Sequence, residues 1–174
     1  MAATPFKYPR EHSFPPFFTR QTNLVTLAAQ RKKWSSLILD YTRHHRLFRL
    51  RVSDDSELFH NERIHRRLSP DDVRDIFDYM RRQATVEFLS GDDAVLVYWR
   101  SLDEWAALIE QYVEDAAQKG SVLTLYELTQ GDATRGTELH GLDNDILTKA
   151  LNLLVKRGKA QIFGQEDSLG VKFF

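Results

Sequence analysis

The chain has 174 residues, of which 42% are hydrophobic and 28% charged, and its formal net charge is −1. That suits one ordinary domain or two small ones, excludes a disordered chain, and gives no global attraction to nucleic acid or an anionic membrane. It contains no cysteine, which excludes disulfides, zinc–thiolate sites, iron–sulfur clusters and thiol catalysis, and suits a reducing compartment.

Lys7, Arg10 and Glu11 stand where a secretory signal would need its apolar stretch. The longest apolar run, Ala94 to Trp99, falls far short of the roughly 20 residues of a membrane helix. No asparagine is followed by x-Ser or x-Thr. These features predict a cytoplasmic protein.

Next comes Ser13-Phe14-Pro15-Pro16-Phe17-Phe18-Thr19. Proline lacks the backbone N–H and forces its predecessor into extended geometry, so the segment is expected outside regular structure, with Phe14 and Pro15 extended. Three rings left in water are unfavourable, because burying one is worth roughly 1.5–3 kcal/mol. The segment therefore either folds back over its own domain or is held by another chain.

The rest of the chain is written twice. Trp34-x-x-Leu37-Ile38-x-x-Tyr41 returns further on as Trp105-x-x-Leu108-Ile109-x-x-Tyr112. The spacing places each set on one helix face. Val73, Ile76, Phe77 and Met80 return as Leu147, Ala150, Leu151 and Leu154. At the same shift that carries Val73 onto Leu147, Val86-Glu87-Phe88 matches Ala160-Gln161-Ile162, and Val95, Val97 and Trp99 match Leu169, Val171 and Phe173. These last stretches alternate at period two and read as strands. Ser90–Asp93 and Gly164–Ser168 read as the turns between them.

In the first copy a helix is predicted from about Thr22 to Arg46, a strand over Leu47–Val52, a small helix near Asn61, and a helix from Pro70, capped by Ser69, to about Ala84. In the second, a helix starts near Asp103 and ends before Gly120. A strand at Val122–Leu123, a short helix at Tyr126–Thr129 and a long helix follow, the last capped by Asp143 and ending at Arg157 with Gly158 as its stop. Helix, strand, helix, helix, hairpin is the order of a winged-helix domain. The fold class is α+β, mostly helical: two tandem winged-helix domains preceded by an extended N-terminal arm. The predicted limits are 1–21 for the arm, 22–101 for the first domain and 102–174 for the second.

Chemistry is sparse. No Gly-rich phosphate loop occurs, and His44-His45 suits a helix C-terminus better than a metal site. His60 and His65 have a poor spacing for a shared helix face. No catalytic residue, metal ligand or cofactor is expected. The rival reading is a tandem winged-helix transcription factor, which needs basic recognition helices to neutralise phosphates. The first candidate helix carries Asp71, Asp72, Asp75 and Asp78, and the second is apolar nearly all round. Residues 102–174 hold 7 Lys/Arg against 12 Asp/Glu, which argues further against nucleic acid. The surplus apolar surface of the second helix is divided between core and partner groove.

Phe14-Pro15-Pro16-Phe17-Phe18-Thr19-x-Gln21, the tryptophan helix with Leu37-Ile38, and Leu123-Thr124-Leu125-Tyr126-Glu127-Leu128-Thr129 are specific in combination. With His140-Gly141-Leu142-Asp143 and Gly170-Val171-Lys172-Phe173-Phe174 added, the sequence resembles the vacuolar protein sorting-associated protein 25 family, subunits of the ESCRT-II complex. The resemblance spans essentially the whole chain and departs in loops such as Asp54–Phe59 and Gly131–Glu138. It implies a non-enzymatic scaffold in a Y-shaped assembly, with two copies of this chain beside one each of vacuolar protein sorting-associated proteins 22 and 36. Phe14, Pro15, Pro16, Phe17 and Phe18 would be the anchor onto those subunits. The second domain would recruit the ESCRT-III subunit vacuolar protein sorting-associated protein 20, for sorting ubiquitinated cargo into multivesicular bodies. The chain would reach endosomal membranes peripherally, without inserting. On this expectation Phe17→Ala with Phe18→Ala abolishes co-purification with the larger subunits while the domain stays folded.

Overall fold

Asn23 starts the first helix, α1 (Leu24–His45), by accepting hydrogen bonds from the backbone N–H groups of Val25 and Thr26, two of the donors that a helix start leaves unpaired. The structure is a computed structural model and describes residues 4–165 and 168–174. Its chain divides into two compact units, Met1–Trp99 and Arg100–Phe174.

In the first unit α1 is followed by β1 (Arg49–Arg51), then the short strands β2 (His60–Asn61) and β3 (Arg66–Arg67). α2 (Pro70–Arg82) comes next, then the hairpin β4 (Val86–Phe88) and β5 (Ala94–Val97). The antiparallel sheet runs β1-β5-β4, with Leu50 opposite Val95 and Val86 opposite Val97. The small helix expected near Asn61 is a single 3-10 turn, Glu62–Ile64, between β2 and β3. Asn61 accepts from the Arg63 N–H at its start, and His65 ends it in the left-handed region at φ 52°. Trp34 and Ile38 of α1, Phe77 and Met80 of α2, and Val95 and Leu96 of β5 are buried together with Leu58 and Phe59.

The second unit follows the same plan, with an α-helix where the first has β2, the 3-10 turn and β3: α3 (Leu102–Asp115), β6 (Val122–Thr124), α4 (Leu125–Thr129), α5 (Asn144–Lys156), β7 (Ala160–Phe163) and β8 (Gly170–Phe173). Its antiparallel sheet runs β6-β8-β7. Thr124 and Glu127 close a capping box at the start of α4, and Asp143 caps α5. Trp105, Ile109, Leu128, Leu151, Leu154 and Val171 form the core. Each unit sets two long helices, with a short helical turn or helix between them, beside a three-stranded sheet that ends in a β-hairpin wing, which is the winged-helix arrangement.

The repeat reaches the helix ends. Thr85 N–H bonds to Met80 O at 3.0 Å, and its repeat counterpart Lys159 N–H bonds to Leu154 O at 2.9 Å. Leu47 N–H bonds to Thr42 O at 2.8 Å, and its counterpart Gln118 N–H bonds to Val113 O at 2.9 Å. Each bond closes a Schellman turn. The shift that carries α2 onto α5 does not hold through the wing, however. Val86 faces Val97, whereas Ala160 faces Phe173. Val171 is therefore the counterpart of Val95, and Phe173 of Val97, two positions beyond the expected match. The connection in the second hairpin is longer by the same amount. A slip of two keeps every side chain on the same face of a strand, so alternation alone does not reveal it. Of the predicted turn Gly164–Ser168, Glu166 and Asp167 lie outside the described residues.

Candidate partner interface

Phe14 is extended, at φ −104° and ψ 110°, as the following proline demands. Pro15–Phe18 then turns into a short 3-10 segment with Pro15 at its first position. Proline's fixed φ suits a 3-10 turn, and its missing N–H is no loss there. The expectation of irregular backbone at Pro15 is corrected to that extent.

The turn drives two rings inward. Phe17 and Phe18 are 5% and 4% exposed. Phe17 stacks on Trp34, with ring centroids 4.3 Å apart and planes within 3°, and Phe18 meets the same indole edge-on at 5.4 Å. The main chain of the arm is held as well. The Phe17 carbonyl accepts from Trp34 Nε1 at 2.9 Å and from Gln30 Nε2 at 3.0 Å, and Gln30 Nε2 also reaches Thr19 O at 2.8 Å. Upstream, His12 is buried. Its Nε2 donates to Leu58 O at 3.0 Å, and its carbonyl accepts from Asn61 Nδ2 at 2.7 Å. Tyr8 stacks on the His12 ring at 4.2 Å, and Phe6 meets Tyr41 edge-on at 5.4 Å. Burial pushes the Tyr8 hydroxyl well above the usual tyrosine range, and Tyr41 and Glu57 add to this. Burial lowers the His12 pKa below the ordinary histidine value, against the opposing pull of hydrogen bonds to Leu58 and Glu57 and of the Glu57 charge.

Of the five arm residues singled out from sequence, Phe17 and Phe18 are thus part of the first unit's own core. Phe14 is 58% exposed, Pro16 is exposed and Pro15 half-buried. Phe14 and Pro16 border a hollow of about 160 Å³ together with Thr26, Ala29 and Lys33 of α1. Leu24 and Val25, at the start of the same helix, are also exposed. The alanine pair at Phe17 and Phe18 therefore removes core, and a folded domain is not its expected outcome. Gln30, His12 and Asn61 were not singled out. The available signal was Gln30, a polar residue one helical turn before Trp34 on the same face.

The helices in recognition position are spoken for. In α2, Arg81 and Arg82 pair with Asp78, and Arg74 with Asp93. The Arg81 guanidinium holds the Asp78 carboxyl below the usual carboxylate range. In α5, Ile146, Leu147, Ala150, Leu151 and Leu154 are buried, so most of its apolar surplus is core. Exposed apolar side chains remain at Val122, Tyr126, Val155, Phe163 and Phe174. Among the described residues no group of three or more His, Cys, Asp or Glu is placed to hold a metal ion. No described helix is long and apolar enough to cross a membrane.

Residues 11–143 match the family described as ESCRT-II complex subunit. The chain belongs to that family. It is similar to vacuolar protein-sorting-associated protein 25 of Danio rerio, at 40% identity over 172 residues, covering 97% of this chain and 99% of that protein. The Homo sapiens protein of that name is 38% identical over 175 residues, covering 99% of each. The crystal structure of subunit VPS25 of the endosomal trafficking complex ESCRT-II superposes with a TM-score of 0.86 at 29% identity, covering 95% of this chain and 98% of that one. A chain in the crystal structure of the endosomal complex ESCRT-II (VPS22/VPS25/VPS36) does so with a TM-score of 0.84 at 30% identity, over the same shares. The arm and its seat on α1 are thus features of an ESCRT-II subunit, and the family match takes in the Pro-Pro-Phe-Phe stretch, since it begins at Glu11.

Proposed function

We propose that this chain is a non-enzymatic scaffold of an ESCRT-II assembly in endosomal trafficking. The arm face of the first unit docks on the larger subunits, vacuolar protein sorting-associated proteins 22 and 36, and two copies of the chain enter each complex. The observation that carries this reading is the division of labour within the arm. Phe17 and Phe18 are pinned on Trp34, while Phe14 and Pro16 stay exposed and border a hollow with Thr26, Ala29 and Lys33 of α1. A pre-ordered apolar ridge loses little entropy on binding, and a few rings carry most of the energy of an interface. Phe14, Pro15 and Pro16 then make the contact, and Phe17 and Phe18 position them.

The second unit recruits an ESCRT-III subunit, vacuolar protein sorting-associated protein 20, for sorting ubiquitinated cargo into multivesicular bodies. Exposed apolar side chains on that unit, Tyr126 and Phe163 among them, support this. The complex carries the chain to the cytoplasmic face of endosomes, and the chain itself inserts nothing into the bilayer.

The test is co-purification with the two larger subunits. Phe14→Ala with Pro16→Ala should abolish it while leaving the circular dichroism unchanged. Normal assembly by that folded double variant would overturn the reading.

A further inference from the structure

A second hollow, of about 630 Å³, lies between the arm and α1. Phe6, Tyr8 and Pro9 stand on its arm side, Ala29 and Leu37 on its helix side, and Phe17 also lines it. Along α1 it extends from Ala29 to Asp40, about 16 Å at the helical rise. An extended peptide of about five residues covers that length. The rim adds Lys7, Lys32 and Lys33 against Glu11 and Asp40, and is net positive. Lys33 is engaged with Glu11 at 3.7 Å. Lys7 and Lys32 have no ion-pair partner among the described residues.

We propose that this hollow receives a short, extended acidic segment of a partner ESCRT-II subunit. One apolar side chain of the segment sits between Pro9 and Leu37, and a carboxylate sits against Lys7 and Lys32. The inference rests on the reading that the arm face is the docking face, and adds what the partner must present there. Apolar walls supply affinity, while a charge left unpaired at the rim supplies selection and a faster encounter. Phe6 on Tyr41 of α1 and Tyr8 on His12 anchor the arm beside the hollow. A partner therefore meets a finished cleft and not a mobile peptide.

The experiment uses the full chain with the two larger subunits, comparing wild type, Ala29→Trp, Lys7→Glu with Lys32→Glu, and Phe14→Ala. Ala29, Lys7 and Lys32 are exposed, so the substitutions leave the fold intact, as a thermal melt checks. Ala29→Trp fills the hollow and should weaken assembly at least tenfold. The charge reversal should do the same. Wild type should lose affinity between low and high salt, where added ions screen exposed charges, and the charge reversal should remove or invert that fall. Because Ala29 also borders the first hollow, the charge reversal decides, and its normal assembly overturns the inference. If Phe14→Ala still fails to assemble in that case, the arm-docking reading survives without it. If all three variants assemble like wild type, both fall.

Discussion

The Phe17 ring lies flat on Trp34, 4.3 Å away, and the indole N–H of the same tryptophan donates to the Phe17 carbonyl at 2.9 Å. One helix residue thus fixes both the side chain and the main chain of the arm. Replacing a buried phenylalanine by alanine costs about 3–5 kcal/mol, so Phe17→Ala should lower the urea midpoint sharply and red-shift tryptophan emission. Phe14→Ala, at an exposed position, should change stability by less than about 0.5 kcal/mol. Equal destabilisation by the two would show that the arm is not seated as described.

Helical stripes, caps and turns were readable because they are local. Trp34-x-x-Leu37-Ile38 and Ser69-Pro70 specify their own geometry within a turn or two. Where the arm rings go was not readable, since Phe17 and Phe18 meet Trp34 across a long stretch of intervening chain and nothing in the motif distinguishes a domestic partner from a foreign one. Proline chemistry excluded long elements but not a short 3-10 turn, and that turn sends two rings inward and leaves one out. The wing register escaped for a different reason, because a two-residue slip preserves alternation.

His12 makes the arm's hold dependent on pH. Its Nε2 donates to Leu58 O, and burial lowers its folded-state pKa below the unfolded value near 6.5. The unfolded chain therefore takes up the proton first as pH falls. The His12 contribution is complete above about pH 6.5 and is lost as pH drops through the lower folded value. His12→Gln keeps a donor for Leu58 and removes the titration. Between pH 7.5 and pH 5.5 wild type should lose more stability than His12→Gln, and identical slopes in urea unfolding would dismiss the effect. These pH values bracket roughly one unit either side of the ordinary histidine pKa.

Asp75 joins three parts of the first unit. It accepts Arg31 Nε at 3.0 Å and Arg31 Nη2 at 2.8 Å, with Arg20 at 3.9 Å. The bidentate bond raises the Arg31 pKa further. Both main partners are partly shielded, so the pair is worth more than an exposed bridge, and Asp75→Ala should cost about 1–2 kcal/mol. Adding Arg31→Ala should cost little more, because the two losses are one interaction. A fully additive double-mutant cycle would contradict the pairing.

Ala84 and Gly158 occupy one position of the repeat, both just past a helix end and both left-handed, at φ 60° and 71°. Nothing lies within 4 Å of where a Cβ would sit at Gly158, so backbone strain is the only cost of a side chain there. A left-handed L-residue is disfavoured by roughly 1–2 kcal/mol, partly offset by glycine's greater freedom when unfolded. Gly158→Ala should therefore destabilise the chain by about 1 kcal/mol, and Ala84→Gly should stabilise it by about 0.5 kcal/mol. The opposite signs at equivalent sites, read from paired thermal melts, provide the check. A loss of stability in Ala84→Gly would mean that the Ala84 methyl group makes contacts worth more than the strain it causes.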